Sequence, residues 1–350
     1  MQKLRAFIIM SAVCATSDLL GQTVKEYVHF GDRVVASESR VVTGNFVPQA
    51  GGVSPASGSS LSQTFEFSYS DANGANDINV VNVLINNTLS APGACYVGYV
   101  RSANILVLVP DSGDANQATG MALTPGGGSL SNSQCRIWQS GSFATQSGNT
   151  LKLTLNVAFN SIGGWPGKMA IWMAVADLGN ASSGWQALGV WNMGGVAATP
   201  AQVSSANPAR RTGGRGTVAV TFSHTTNFAS LGVQNILINR AIDGANACFL
   251  AFVASANLLY LVTDPGDDLL GLSPTSPGGS AGSFIGSVAN SQCRVYGATS
   301  SYQRAGNGVT LLLDLELLPA FSGNRMVFGA ARTTNEVGNS GWQPVASWSR

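Results

Sequence analysis

Four cysteines pose the first chemical question. Cys95, Cys135, Cys248 and Cys293 remain once Cys14 is assigned to a leader, and none forms a Cys-x-x-Cys pair or sits in a Cys/His cluster. Neither zinc nor redox chemistry suits that spacing; an even number of separated cysteines predicts disulfides in an oxidising compartment. Aspartates are the second group. Asp111-x-Gly113-Asp114 recurs as Asp264-x-Gly266-Asp267, and calcium takes clustered carboxylate and carbonyl oxygens. The competing reading, a turn whose Asp accepts from backbone amides, is the one favoured. Asp71 to Asp77 has part of a calcium-loop pattern without the closing Glu of an EF-hand, and reads as a hairpin turn. Tryptophan is the third group: Trp185, Trp191, Trp342 and Trp348 could stack on sugar rings or plug a core. Nucleophilic catalysis needs a base, and His29 and His224 are the only imidazoles in the chain. No Gly-x-Ser-x-Gly elbow accompanies them, so a non-enzymatic protein without cofactors is expected.

Composition narrows the classes further. The 350 residues carry 18 basic and 17 acidic side chains, a net charge of +1, which sets up no field for nucleic acid. With 45% hydrophobic residues the chain can build a core, and no apolar run approaches the roughly 18 residues of a membrane helix. Lys3 and Arg5 precede the apolar stretch Ala6 to Val13, so residues 1–22 read as an export signal and the protein as secreted, extracellular or at the cell surface.

The chain repeats itself. Asn82-Val-Leu-Ile-Asn86 returns as Asn235-Ile-Leu-Ile-Asn239, and Ala94-Cys95-Tyr96 as Ala247-Cys248-Phe249. Asn132-Ser-Gln-Cys135-Arg136 returns as Asn290-Ser-Gln-Cys293-Arg294, and Ser183-Gly-Trp185-Gln186 as Ser340-Gly-Trp342-Gln343. Such self-similarity predicts two homologous units, 61–193 and 214–350, joined by an Ala/Ser/Pro/Gly-rich linker at 194–213. Each cysteine pair falls inside one unit, which makes Cys95–Cys135 and Cys248–Cys293 the economical pairings among three connectivities.

Within each unit the hydrophobic period is two, as in Thr64 to Tyr69 and Leu151 to Val157, and the punctuation is Gly, Ser, Asn and Pro. Ala94–Val100, Ile105–Val109 and Met169–Ala176 are continuous apolar runs, which suit core strands. Seven or eight short strands per unit predict an all-β chain of two tandem antiparallel β-sandwiches. The pattern resembles secreted bacterial immunoglobulin-like β-sandwich repeat proteins of the surface or filament type. The cysteine and tryptophan order departs from the antibody-type arrangement.

Residues 23–60 stand outside the repeat. Val24 to Glu38 is strand-like on both sides of Gly31-Asp32, a two-residue loop that predicts a hairpin, and a Pro/Gly tether follows from Pro48 to Ser60. The hairpin could extend an edge of the first sandwich. Alternatively it could add to a sheet of a second copy, with Tyr27, Val28, Phe30, Val34, Val35 and Ala36 setting the register and the chain forming a homopolymer. A carbohydrate-binding adhesin using the tryptophans is the other expectation; neither nucleic acid nor a membrane is an expected partner.

Overall fold

In a computed structural model, the structure describes residues 17–18, 21–30, 33–42, 44–160, 167–193 and 199–350. The expected export signal falls largely outside these residues. Each repeat is a sandwich of two antiparallel sheets, and alternation decides which side chains meet between them. Phe65, Phe67 and Tyr69 of Ser62–Ser70 are fully buried while Thr64, Glu66 and Ser68 face outward. The second unit builds the same layer from Val309, Leu311, Leu313, Leu315 and Leu317 of Gly308–Leu317.

In the first unit one sheet runs Thr119–Ala122, Ile105–Leu108, Cys95–Val100, Ile78–Asn86, Lys168–Asp177, Gln186–Asn192 and Ser57–Ser59. The facing sheet runs Ser129–Ser131, Cys135–Ser147, Thr150–Phe159, Ser62–Ser70 and Gln49–Ser54. The second unit repeats this order: Leu269–Leu272, Leu258–Val262, Cys248–Val253, Leu231–Asn239, Asn324–Thr333, Gln343–Ser349 and Arg210–Thr212 in one sheet. Its other sheet runs Ser287–Ala289, Cys293–Tyr296, Gly308–Leu317, Arg215–His224 and Ala201–Asn207, with Ser301–Ala305 also paired to Gly308–Leu317. With Gln49–Ser54, Ser62–Ser70, Ile78–Asn86, Cys95–Val100, Ile105–Leu108, Cys135–Ser147, Thr150–Phe159, Lys168–Asp177 and Gln186–Asn192 lettered A, B, C, C′, C″, D, E, F and G, and their counterparts in the second unit likewise, the sheets are GFCC′C″ and ABED, the arrangement of immunoglobulin variable-type domains. The bridge in each unit joins C′ to D, which is why the cysteine order departs from the antibody-type B-to-F bridge.

The stretches with linker composition turn out to be strands. Gln49–Ser54 and Ala201–Asn207 pair antiparallel at the edge of one sheet; after Pro55 and Pro208 the chain crosses to the other. There Ser57–Ser59 and Arg210–Thr212 pair in parallel with the last strand of their unit. A Pro-Ala pair makes the crossing in both units, Pro55-Ala56 and Pro208-Ala209, so composition misreads 48–60 and the described part of 194–213 as tether and linker.

Gly21–Phe30 and Arg33–Val42 form the hairpin, with Phe30 opposite Arg33 across the two-residue loop. A register shift between Val28 and His29 leaves Val35 as the extra residue. With Ser17–Asp18 these strands make a separate three-stranded sheet, so the hairpin does not extend a sheet of the first sandwich.

The two sandwiches share a third core. Leu84, Ala170 and Trp172 of the first unit meet Leu237, Met326 and Phe328 of the second, which are their repeat equivalents. The same patch of each unit thus faces its counterpart. Asn324 Nδ2 donates to Gln186 Oε1 at 2.9 Å across this junction. Lys168 Nζ donates to the carbonyls of Val203 and Ser204, and burial pulls its pKa down to about 8.

Candidate functional site

Both disulfides close, Cys95–Cys135 and Cys248–Cys293, and each ties the two sheets of its own sandwich. The motif beside each bridge serves the same purpose. Asn132 Oδ1 accepts from Gln134 N and Cys135 N, while its Nδ2 donates to Ala94 O and Val109 O. Asn290 makes the equivalent four bonds. The recurring aspartates belong to this knot. Asp111 Oδ1 accepts from Ser133 N at 3.0 Å and Asp264 Oδ1 from Ser291 N at 3.1 Å. Asp114 caps a short 3-10 turn through Asn116 N, and Asp267 accepts from Thr263 Oγ1. Gly113 and Gly266 take φ of +78° and +86°. Turn chemistry therefore occupies the carboxylates that could have read as metal ligands.

The four tryptophans divide into two pairs. Trp191 and Trp348 are 2% and 1% exposed, with indole N–H groups donating to Ser60 O and Gly213 O. They fill the cores against the sheet-crossing segments. Trp185 and Trp342 are half-buried at the flank of the shared core, edge-on to Tyr96 and Phe249 at 5.6 and 5.7 Å. Stacking on a sugar needs an open ring face, which burial removes from Trp191 and Trp348. Among the described residues, Trp138 and Phe143 are the aromatics with 37% and 50% exposure.

Tyr27, Val28, Phe30, Val34, Val35 and Ala36 all lie on the hairpin strands, Tyr27 opposite Ser37 and Val28 opposite Ala36. Asn86-Asn87-Thr88 and Asn180-Ala181-Ser182 match the acceptor pattern for N-glycosylation; Asn86 is 7% exposed with its amide donated to Ser90 O, whereas Asn180 is exposed.

One constellation escapes sequence reasoning. Asp71 and Asp77 flank the B–C turn, and Asp177 ends strand F; each offers an oxygen within 4.8 Å of the others. Asp71 is 1% exposed and Asp177 fully buried. Asp71 Oδ1 accepts from Asn73 N at 2.8 Å, while Oδ2 is buried without a partner. Asp177 Oδ1 accepts from Ala181 N at 2.8 Å and Oδ2 from Asn45 Nδ2 at 2.9 Å. Burial raises the Asp71 carboxyl above its ordinary range; the Asn73 amide opposes this and the charges of Asp77 and Asp177 add to it. The ion pairs among the described residues, Lys152–Glu66, Arg215–Asp314 and Arg332–Glu336, all lie elsewhere.

No helix among the described residues is long and apolar enough to cross a membrane. No family model matches the chain, and no curated protein does. Among solved structures it is similar to a marsupial T cell receptor, at 12% identity and a TM-score of 0.23, over 86% of this chain and 72% of that one.

Proposed function

We propose that this is an exported, non-enzymatic structural protein that associates with copies of itself through its N-terminal hairpin. The observation that carries this reading is the separate sheet of residues 17–42. Its two main strands are ten residues each, and among the described residues Arg33–Val42 pairs on one side only. A two-stranded ribbon is marginal in water, and its open edge presents a row of backbone donors and acceptors. Addition to an open sheet edge of a neighbouring copy would satisfy both, with main-chain bonds supplying affinity and alternate side chains the register. Two inter-sheet disulfides suit the oxidising surroundings in which such assemblies persist.

The test compares the whole chain with one lacking residues 23–42, by light scattering and electron microscopy. The deletion stops there because Asn45 and Gln49–Ser54 belong to the first sandwich. Assemblies from the whole chain and monomers from the shortened one are expected. Identical assemblies from both would remove the hairpin from the mechanism.

A further inference from the structure

The three aspartates at the B–C and F–G end of the first sandwich pose a problem that the fold does not require. Strand pairing and the backbone bonds around them recur in the second unit: Leu178 N donates to Asp77 O as Thr334 N does to Ser230 O, and Asp71 N to Asn149 O as His224 N does to Asn307 O. The second unit holds His224, Ser230 and Thr333 where the first has Asp71, Asp77 and Asp177. Thr333 Oγ1 is fully engaged there, with Asn335 Oδ1 and Val337 O. The same framework therefore closes without a carboxylate at any of the three equivalent positions. Among the described residues no basic side chain pairs with the three converging acids of the first unit, and Asp71 Oδ2 is buried without a hydrogen-bond partner. A carboxylate oxygen left so is costly unless something positive completes it.

We propose that Asp71, Asp77 and Asp177 bind one calcium ion. The donor set is all oxygen, which selects hard cations over zinc or copper. Ligands of one calcium lie about 2.3–2.6 Å from it, so oxygens on a common ion stand no more than about 5 Å apart. The observed spread of 4.8 Å satisfies that limit. The oxygen lacking a hydrogen bond, Asp71 Oδ2, is the natural inner ligand; water completes the six to eight positions calcium takes. The ion would also brace the root of the hairpin. Asn45 bonds Asp177, and Asn73 bonds Gly44 O and Phe46 N, so the chain leaving the hairpin is tied to two of the elements that carry ligands. This inference is independent of self-association.

The experiment uses the whole chain after chelation and dialysis, titrated with calcium chloride by calorimetry, with thermal unfolding followed in parallel. One site is expected, of extracellular-type affinity near 10⁻⁴–10⁻³ M. A rise in Tm of roughly 2–3 °C is expected at ten times Kd for two sandwiches that unfold together. Asp77→Asn and Asp71→Asn keep side-chain shape and remove charge, so both variants should fold and lose the response. Absence of binding up to about 10 mM would overturn the site, as would an unchanged Tm response in the Asp71→Asn/Asp77→Asn double variant. An equal response to magnesium, which demands shorter bonds of about 2.0–2.1 Å, would overturn the assignment to calcium.

Discussion

Asp314 shows what a single carboxylate contributes on an outer sheet face. It takes two bonds from Arg215, at 3.2 and 2.9 Å, and one from Thr299 at 2.6 Å, while the guanidinium lies 3.6 Å over the ring of Tyr296. The Arg215 bonds, with help from Thr299, hold the Asp314 carboxyl below its ordinary 3.8. A carboxyl whose pKa is depressed by folding stabilises the native state above its unfolded value. That stability is lost as pH falls below 3.8 through the folded value. Asp314→Asn should therefore shallow the fall in urea midpoint between about pH 4.5 and 2.5, a small effect because Arg215 is half-exposed. An acid slope identical to the parent would show that the cluster is decorative. Residue-scale chemistry was unevenly legible. The repeat exposed which tryptophans correspond, yet period two alone cannot say which face a strand turns inward, and Trp191 and Trp348 proved to be core. Asp177 lies far along the chain from Asp71 and Asp77, so no local motif contains all three. The trace it does leave is comparative: all three acids vanish together in the second copy.

At the scale of elements, the disulfides are the clearest sequence-to-structure success, because each pairing is forced by two strands that the repeat already marks. Each bridge closes a separation of 40 or 45 residues and clamps strand C′ to strand D. A loop of that length removes about 4 kcal/mol of unfolded-state entropy in the chain-entropy treatment. Replacing Cys95 and Cys135 by Ala should cost about 2–4 kcal/mol, read as a lower guanidinium midpoint under oxidising conditions; a midpoint unchanged to within 0.5 kcal/mol would contradict the clamp. Two elements were misread for a common physical reason. Gln49–Ser54 and Ala201–Asn207 look like linkers because each is an edge strand of mostly small and polar residues followed by Pro at the corner where the chain changes sheets. Continuous apolar runs look like ordinary core strands, whereas in Lys168–Asp177 the two faces serve different cores: Met169, Ile171 and Met173 face the partner sheet, and Ala170 and Trp172 face the other sandwich.

For the molecule as a whole, that second buried face decides whether the repeats act as two bodies or one. Trp172 is 1% exposed and Phe328 fully buried, and both lie at the centre of the shared core with Leu84, Leu237 and Met326 around them. A junction this apolar resembles a domain core more than a transient contact, and so should couple unfolding of the two sandwiches. Duplication explains its form: a patch that faces its own copy is satisfied by one sequence change made twice, which is why equivalent positions stay apolar in both units. Bulk differs between the two halves, since Ala170 opposes the role of Met326, and the larger Trp172 compensates beside it. Truncating Trp172 to Ala should remove about 3–5 kcal/mol. Because the loss falls on the junction and leaves each sandwich its own core and disulfide, calorimetry should then resolve two unfolding transitions where one is expected of the parent. A variant that loses stability but keeps a single transition with matching calorimetric and van't Hoff enthalpies would mean that the sandwiches are coupled by some route other than this core. In that case two polar links are the candidates among the described residues: the strand Ala201–Asn207, whose carbonyls accept from Lys168 of the first unit, and the Asn324–Gln186 hydrogen bond.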